Sequence, residues 1–349
     1  MSPSNGDLAE LLRRAGDEET DHRRRALHRA ASAARFWSEE AVDLVEAGRS
    51  LTELRAVGPW VADRIHAWME APPEIPEPDE TRRGFLTLAE VRAVLDAQPG
   101  WERTPHADLQ VHTTDSDGAL PLPEMVVAAR ALGRPFVAIT DHSKSLTIAN
   151  GMDEERLSDQ GVRIDELNAE LASAGDPFRV LRSMEMDVFV DGAADMEPEA
   201  LAPLDLVLGA FHSKLRIRED QTERYLAALR NPSVQVLAHP QARMYGRRAG
   251  LQSDWPRVFA EAALLGKAVE LDATPARQDL SVELARVAVT EGVGWFSIGS
   301  DAHAAFELEF LPFGLATAAL AEIPRERILN YRTVEDVRTW AAELRAGSI

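Results

Sequence analysis

The chain has 349 residues, 45% of them apolar, with no cysteine and a net charge of −20 at neutral pH. Without cysteine, disulfides and thiolate metal sites are excluded, and His and carboxylates are the candidate metal ligands. The acidity argues against general coating of nucleic acid but not against local contact with it. No stretch approaches the ~18 apolar residues of a membrane span, and MSPSNGDLAELL lacks the basic start and apolar core of a secretion signal. A cytoplasmic protein with no membrane partner is expected.

Residues 1–71 read as helical, because LAELLRRAG and HRRRALHRAASAARFW carry apolar residues three and four apart. LTELRAVGPWVADRIHAWME, Leu51 to Glu70, predicts a short helix, a turn at Val57-Gly58-Pro59 and a second helix. This resembles a helix-hairpin-helix motif, which implies backbone N–H groups at Gly58 offered to a DNA phosphate without reading sequence. A plain helical hairpin is the alternative. His22 to Ser38 holds five arginines and no acid, so Arg23, Arg24, Arg25 and Arg29 are candidate backbone contacts, or else a solvated helix face. Residues 72–105 read as a Pro- and charge-rich linker, APPEIPEPDETRR, followed by the short helix LTLAEVRAVLDA.

Residues 106–349 alternate short runs of Val, Ile, Leu and Phe with helical stretches such as LPEMVVAARALG and VELARVAVTEG, which predicts a parallel α/β sheet. About seven repeats suit a closed β/α barrel. An open doubly wound sheet would concentrate polar residues at one switch point, whereas here they recur at the end of nearly every run. Those ends fall at residues 112, 142, 185, 212, 239, 272 and 303, and most steps are about one β/α unit. On one barrel rim they converge. Any one of these histidines alone is as easily a satisfied core residue. Five in register, with Asp117, Glu185 and Asp301 in step, point to metal binding.

DLQVHTTDSDG, ITDHS, MEMDV, AFHS, LAHP and SDAH, in this order, resemble the motifs of the polymerase and histidinol phosphatase (PHP) family. ELDATPARQDL and SIGSDAHAAFELEF look like the PHP domain of bacterial X-family DNA polymerases, although the chain has no room for a polymerase palm and no Gly-Ser nucleotidyltransferase signature. The resemblance implies a distorted (βα)7 barrel holding three divalent ions, Mn, Zn or Fe. Glu185 would bridge two of them. The first ion would take His112, Glu185 and Asp301, with Gln110 where the family has histidine. The second would take Glu185, His212 and His239, and the third Asp117, His142 and His303. A Gln carbonyl is a weaker ligand than imidazole, so the first site is expected to be weakened or to hold a harder ion.

Clustered ions suit phosphoester hydrolysis by a metal-bridging hydroxide. Lys144, Arg243 and Arg277 are expected near the phosphate, with Lys144 prominent because the chain has 35 Arg and 3 Lys. Asp272 and His106 are polar candidates without a place. The leading expectation is a phosphoesterase acting on DNA ends, a 3′–5′ exonuclease or 3′-phosphatase. A small-molecule phosphomonoesterase of histidinol-phosphatase type is the alternative, and a non-catalytic barrel that binds DNA or protein is the third reading.

Overall fold

The computed structural model describes residues 2–104 and 106–347. The chain divides between Gln98 and Pro99 into two compact units.

In the first unit, helices α1 (Asn5–Asp17), α2 (Asp21–Ala34), α3 (Ala41–Glu46) and α4 (Pro59–Glu70) enclose a core that includes Leu8, Leu12, Leu27, Leu44, Leu51 and Ile65, and α5 (Leu88–Ala97) follows them. Helix α1 starts at a capping box: the Asp7 N–H donates to Ser4 Oγ at 3.2 Å and the Ser4 N–H to Asp7 Oδ2 at 2.9 Å. Leu8, Leu11, Leu12 and Ala15 then form its buried stripe.

Two expectations change here. The first arm of the expected hairpin is not a helix but a single 3-10 turn, Leu51–Glu53. Ser50 and Glu53 cap each other's backbone across that one turn, and Leu54 is already extended, so the short apolar run has no length in which to propagate a helix. Helix α5, expected beyond a free linker, belongs to the first unit, where the Leu88 N–H donates to Arg35 O at 2.8 Å. The preceding segment is tied down by Arg82, whose Nε and Nη2 each donate to a Glu10 carboxylate oxygen at 2.8 Å.

The second unit is a barrel of seven parallel strands in chain order: β1 Asp108–Val111, β2 Phe136–Ile139, β3 Arg179–Asp187, β4 Leu206–Ala210, β5 Val236–Leu237, β6 Ala268–Asp272 and β7 Trp295–Gly299. After the short helix α6 (Gly100–Arg103), the outer helices are α7 (Leu122–Ala131), α8 (Glu154–Ser173), α9 (Pro198–Leu201), α10 (Thr222–Arg230), α11 (Trp255–Leu264), α12 (Val282–Thr290), α13 (Leu311–Leu320) and α14 (Val334–Ala346). The ring nearly closes between β7 and β1. Val111 bridges Ala302, and the His112 N–H donates to Ala302 O at 2.9 Å. Toward the strand N-termini the seam is filled by Asn330. Its amide accepts from Ile298 N–H at 2.8 Å and donates to Ala107 O at 2.8 Å and Ile298 O at 2.7 Å.

Strand periodicity sorts the barrel interior into two ends. Phe136 and Ala138, Leu181, Leu206 and Leu208, Val236 and Ala268 cluster with Val337, Trp340 and Leu344 of α14 at the N-terminal end. Two or four residues further along the same alternating face come His142, Glu185, His212, Glu270 and Asp272, at the C-terminal rim.

Candidate metal centre

Glu185 lies at the centre of the rim, 1% exposed. Its Oε1 is 2.6 Å from His239 Nε2 and 3.1 Å from His212 Nε2. Its Oε2 is 3.3 Å from His112 Nε2 and 3.4 Å from His142 Nδ1. His112 Nε2 also lies 3.1 Å from Asp301 Oδ1, and Asp117 Oδ1 sits 3.6 Å from His142 Nε2 and 3.3 Å from His303 Nε2. The rings of His142 and His303 stack on His112 at 4.5 and 4.3 Å between centroids. His112 is fully buried, whereas the side chains of His303 and Asp117 are 31% and 34% exposed. The cluster is therefore closed at Glu185 and open at Asp117.

Among the described residues, three sets of donor atoms each lie within 4.8 Å of one another: His112, Glu185 and Asp301; His142, Glu185 and His212; and His112, Asp117, His142 and His303. His112 and His142 therefore each face two sets, where the sequence reading gave each a single one. Both ring nitrogens of His112 and of His212, His142 Nδ1 and Asp301 Oδ1 are buried without a well-formed hydrogen bond. Orphaned buried donors of this kind are costly unless something binds them. Nitrogen and carboxylate donors in compact groups suit divalent cations.

Charge balance tells the same story. Burial disfavours the charged forms, yet the carboxylates of Asp301 and Glu185 beside its Nε2 hold the His112 pKa well above its usual value. His212, buried but facing Asp187 and Glu185, is raised to about 9. Burial opposes ionisation of Glu185 too, but the imidazoles packed around both its oxygens hold its pKa well below the usual range. His142, desolvated and next to two other imidazoles, falls to about 3.

Gln110 is fully buried, and its Nε2 donates to Glu185 Oε2 at 3.0 Å while its Oε1 has no partner. Gly299 makes room for it, since a Cβ there would stand 2.5 Å from Gln110 Cβ and 2.6 Å from Glu270 Oε1. Gly118 serves the β1 loop likewise: a Cβ there would meet the His112 carbonyl at 2.7 Å, so only glycine lets the loop carrying Asp117 fold back on this strand end.

Of the three cations expected at the phosphate, Arg277 is in the site, its Nε 3.4 Å from Asp301 Oδ2 and 3.6 Å from Asp272 Oδ2. Arg243 is buried, and its backbone N–H donates to Asp279 Oδ2 at 3.4 Å. Lys144 departs from expectation: its Nζ donates to Glu154 at 2.5 Å, an acid at the start of α8 that occupies the ammonium. Three arginines were missed. Arg216, Arg247 and Arg248, from the loops after β4 and β5, share the rim with Arg277, and burial together with these three like charges depresses the Arg248 pKa.

Carboxylates were missed as well. Asp187 Oδ1 accepts the His212 N–H at 3.3 Å and lies 3.5 Å from its Nδ1. Glu270 Oε2 accepts the His239 N–H at 2.8 Å, and burial beside Asp272 raises its pKa well above normal. Asp141 fixes the β1 loop by accepting from the Thr113 N–H at 2.8 Å and Thr113 Oγ1 at 2.7 Å. The period-2 signal was available: Asp187 and Asp272 follow Glu185 and Glu270 at i+2 on one strand face. Asp272 thus takes its place on the rim. His106 does not, since it precedes β1 at the opposite end.

Of the first unit's candidates, Gly58 is exposed at the N-cap of α4, with no side-chain cap on the helix. Arg23 lies 4.0 Å from Glu19 and over the Trp60 ring, and Arg24 is 3.7 Å from Asp17. Arg25 and Arg29 line an exposed cleft.

No family model matches the chain. Over 234 residues it is 38% identical to the DNA polymerase/3′-5′ exonuclease PolX of Bacillus subtilis (strain 168), covering 67% of this chain and 40% of that protein. It is 28% identical over 233 residues to a probable phosphatase of Serratia proteamaculans (strain 568), and 27% identical over 229 residues to the probable phosphatase YcdX of Escherichia coli (strain K12). Each of these two matches covers 64% of this chain and 89% of the relative. The chain belongs to the PHP family. The PHP barrel is the hydrolase fold of metal-dependent phosphoesterases. Among solved structures, the histidinol phosphate phosphatase of Lactococcus lactis is similar with a TM-score of 0.42 at 16% identity, covering 59% of this chain and 90% of that one. The chain spans less than half the length of the Bacillus subtilis protein.

Proposed function

We propose that the PHP barrel hydrolyses phosphate esters at DNA ends, as a 3′–5′ exonuclease or 3′-phosphatase, with three divalent ions of the Mn, Zn or Fe kind. The observation that carries this reading is Glu185, buried among four imidazoles with both oxygens shared between them. Its two oxygens would bridge a site of His112 and Asp301 and a site of His212 and His239, while Asp117, His142 and His303 would hold the third ion at the open side. Ions held there supply Lewis acidity toward phosphoryl oxygen and a nucleophile at neutral pH.

The chain's own groups supply the rest. His142, with its pKa near 3, is neutral at pH 7 and offers a free nitrogen lone pair. His212, raised to about 9, carries a proton that a cation must displace, so metal affinity rises with pH. Gln110 spends an N–H on Glu185 Oε2, competing with a ligand at the first site, and makes that site the weakest.

The substrate class follows from the rim cations. Arg277, Arg216 and Arg247 lie near enough to Arg248 for their charges, with burial, to depress its pKa, and a cationic rim of this kind favours a substrate carrying more than one phosphate. A nucleic-acid strand meets that need better than a monoester. The name of the Bacillus subtilis relative supports the exonuclease form, and the first unit would contact the DNA backbone through Gly58, Arg23, Arg24, Arg25 and Arg29. The second reading, a small-molecule phosphomonoesterase, is supported by the 89% coverage of the probable phosphatases, in which the barrel makes up nearly the whole protein.

The test is Mn-dependent release of nucleotide or phosphate from a 3′-labelled duplex. Glu185→Ala is expected to reduce the rate by about 10³-fold, as loss of several kcal/mol of metal-supplied stabilisation requires. An unaltered rate in this variant overturns the site, and rapid hydrolysis of soluble monoesters with indifference to DNA selects the second reading.

A further inference from the structure

The first unit contains a cleft of about 820 Å³ lined by Arg25, His28, Arg29, Ser32, Ala33 and Phe36 on one side and by Arg55 and Ala56 on the other. Its long wall is one stripe of α2 and its extension, because residues 25, 29, 32 and 36 recur at three- and four-residue steps. Its short wall is the turn before α4. The Trp37 indole N–H donates to Arg55 O at 3.0 Å, and this fixes the turn against the end of α2.

The lining is chemically divided. Arg25, Arg29 and Arg55 make no ion pair among the described residues. Asp17, beside the lining residue His28 at 3.2 Å, is also met by Arg24 at 3.7 Å. Three unneutralised guanidiniums around a concave site attract an oxyanion, and planar guanidinium suits phosphate. Phe36 supplies the opposite chemistry. It is 44% exposed at the end of the same stripe, with Arg35 stacked at 5.5 Å from its ring centroid. An aromatic ring left half in water in the same cleft as Arg25, Arg29 and Arg55 is the pairing that binds one nucleotide unit, with the phosphate on the cations and the base on the ring. The cleft falls within the roughly 300–1,000 Å³ of small-ligand sites.

We propose that this cleft binds an unpaired nucleotide of a DNA strand, with its phosphate on Arg25, Arg29 and Arg55 and its base stacked on Phe36. A base within a duplex shows no free face, so the cleft selects single-stranded DNA, which a backbone grip at Gly58 cannot do. The proposal rests on the preceding reading for DNA as the polymer and for Arg25 and Arg29 as phosphate contacts, and binding in chelator tests it apart from any hydrolysis by the barrel.

The experiment is fluorescence anisotropy on the full chain in excess chelator, with a labelled oligo-dT strand and a blunt duplex of equal length. Phe36→Ala is expected to weaken single-strand binding about tenfold, the lower range of one base–aromatic stack, and to leave duplex binding unchanged. Phe36→Trp restores or tightens it. The double change Arg25→Ala with Arg29→Ala lowers the slope of log affinity against log salt by about 1.4 on the single strand. These side chains are exposed, so the melting temperature serves as the control for folding. Equal loss on strand and duplex in Phe36→Ala, no loss on either, or an unchanged salt slope in the double variant overturns the proposal. Failure of 3′-end hydrolysis in the presence of Mn bears on the barrel reading alone.

Discussion

The two ends of the barrel solve the same problem in opposite ways. At the N-terminal end the seam between β7 and β1 is polar and buried, and every group of Asn330 that faces it is satisfied. At the C-terminal rim His112, His212, Asp301, Gln110, Glu270 and Asp272 all keep buried polar atoms without a good partner. The same strands supply both ends, so packing does not force the difference. A protein tolerates orphaned polar atoms where a ligand completes them and closes its seams where none comes. Asp108 Oδ2 and Arg134 Nε are also left without a partner near the N-terminal end, so the contrast is one of density, with the unpartnered atoms gathered in far greater number at the rim.

The comparison breaks first at Asn330. Replacing it with Ala strands the Ile298 N–H, the Ile298 carbonyl and the Ala107 carbonyl in a dry seam. At about 1–3 kcal/mol per buried unsatisfied group, the loss is expected near 4 kcal/mol, or about 10 °C in melting temperature for a unit of this size. Calorimetry with and without chelator measures it. The same loss under both conditions, with metal content unchanged, keeps the ends independent. A loss that appears only in metal-loaded protein would show that the seam and the rim are one cooperative structure.

How far this division could be read from sequence depends on the range of each interaction. The rim histidines were legible because each follows a β-like run at nearly constant spacing, and the parallel topology alone brings such ends together. Asp187 and Glu270 lay within the same strands yet passed unnoticed, since their work is to hold His212 and the His239 backbone rather than to complete a motif. Lys144 misled because its triplet follows His142, while its partner Glu154 sits ten residues on, at the start of α8. In the first unit, Leu51 and Leu54 have helical spacing, but Ser50 and Glu53 close the turn after three residues. Asn330 was illegible: its partners lie 32 and 223 residues away, and nothing local marks an amide that will bridge a barrel seam.

A smaller effect sharpens the rim side of the comparison. Asp187→Asn keeps the shape but removes the charge that orients His212. The expected result is a 10–100-fold loss of metal affinity, about 1.4–2.7 kcal/mol, measured by competition with a chelator, since groups behind a ligand typically contribute that much. Stability in chelator should not fall. A melting temperature that drops without metal would reassign Asp187 to the fold.

The smallest expected effect belongs to His106, which lies just before β1 at the closed end. Its Nδ1–H donates to Thr104 O at 2.8 Å, and its Nε2 accepts from Arg134. The Nε2 contact requires the neutral ring, and burial with the Arg134 charge lowers its pKa to about 4 from an ordinary 6.5. Between these values the unfolded chain binds a proton that the folded chain refuses, so unfolding is favoured as the medium becomes more acid. Stability should rise as pH increases from about 4 to 6.5 and level off above it. The pKa difference sets an upper bound of about 3 kcal/mol, and the partial exposure of Arg134 reduces the expectation to about 1–2 kcal/mol. Urea midpoints across this range, compared between the wild type and His106→Phe in chelator, isolate the term. If the variant keeps the full slope, the acid sensitivity comes from the rim carboxylates, and the closed end is indifferent to protons.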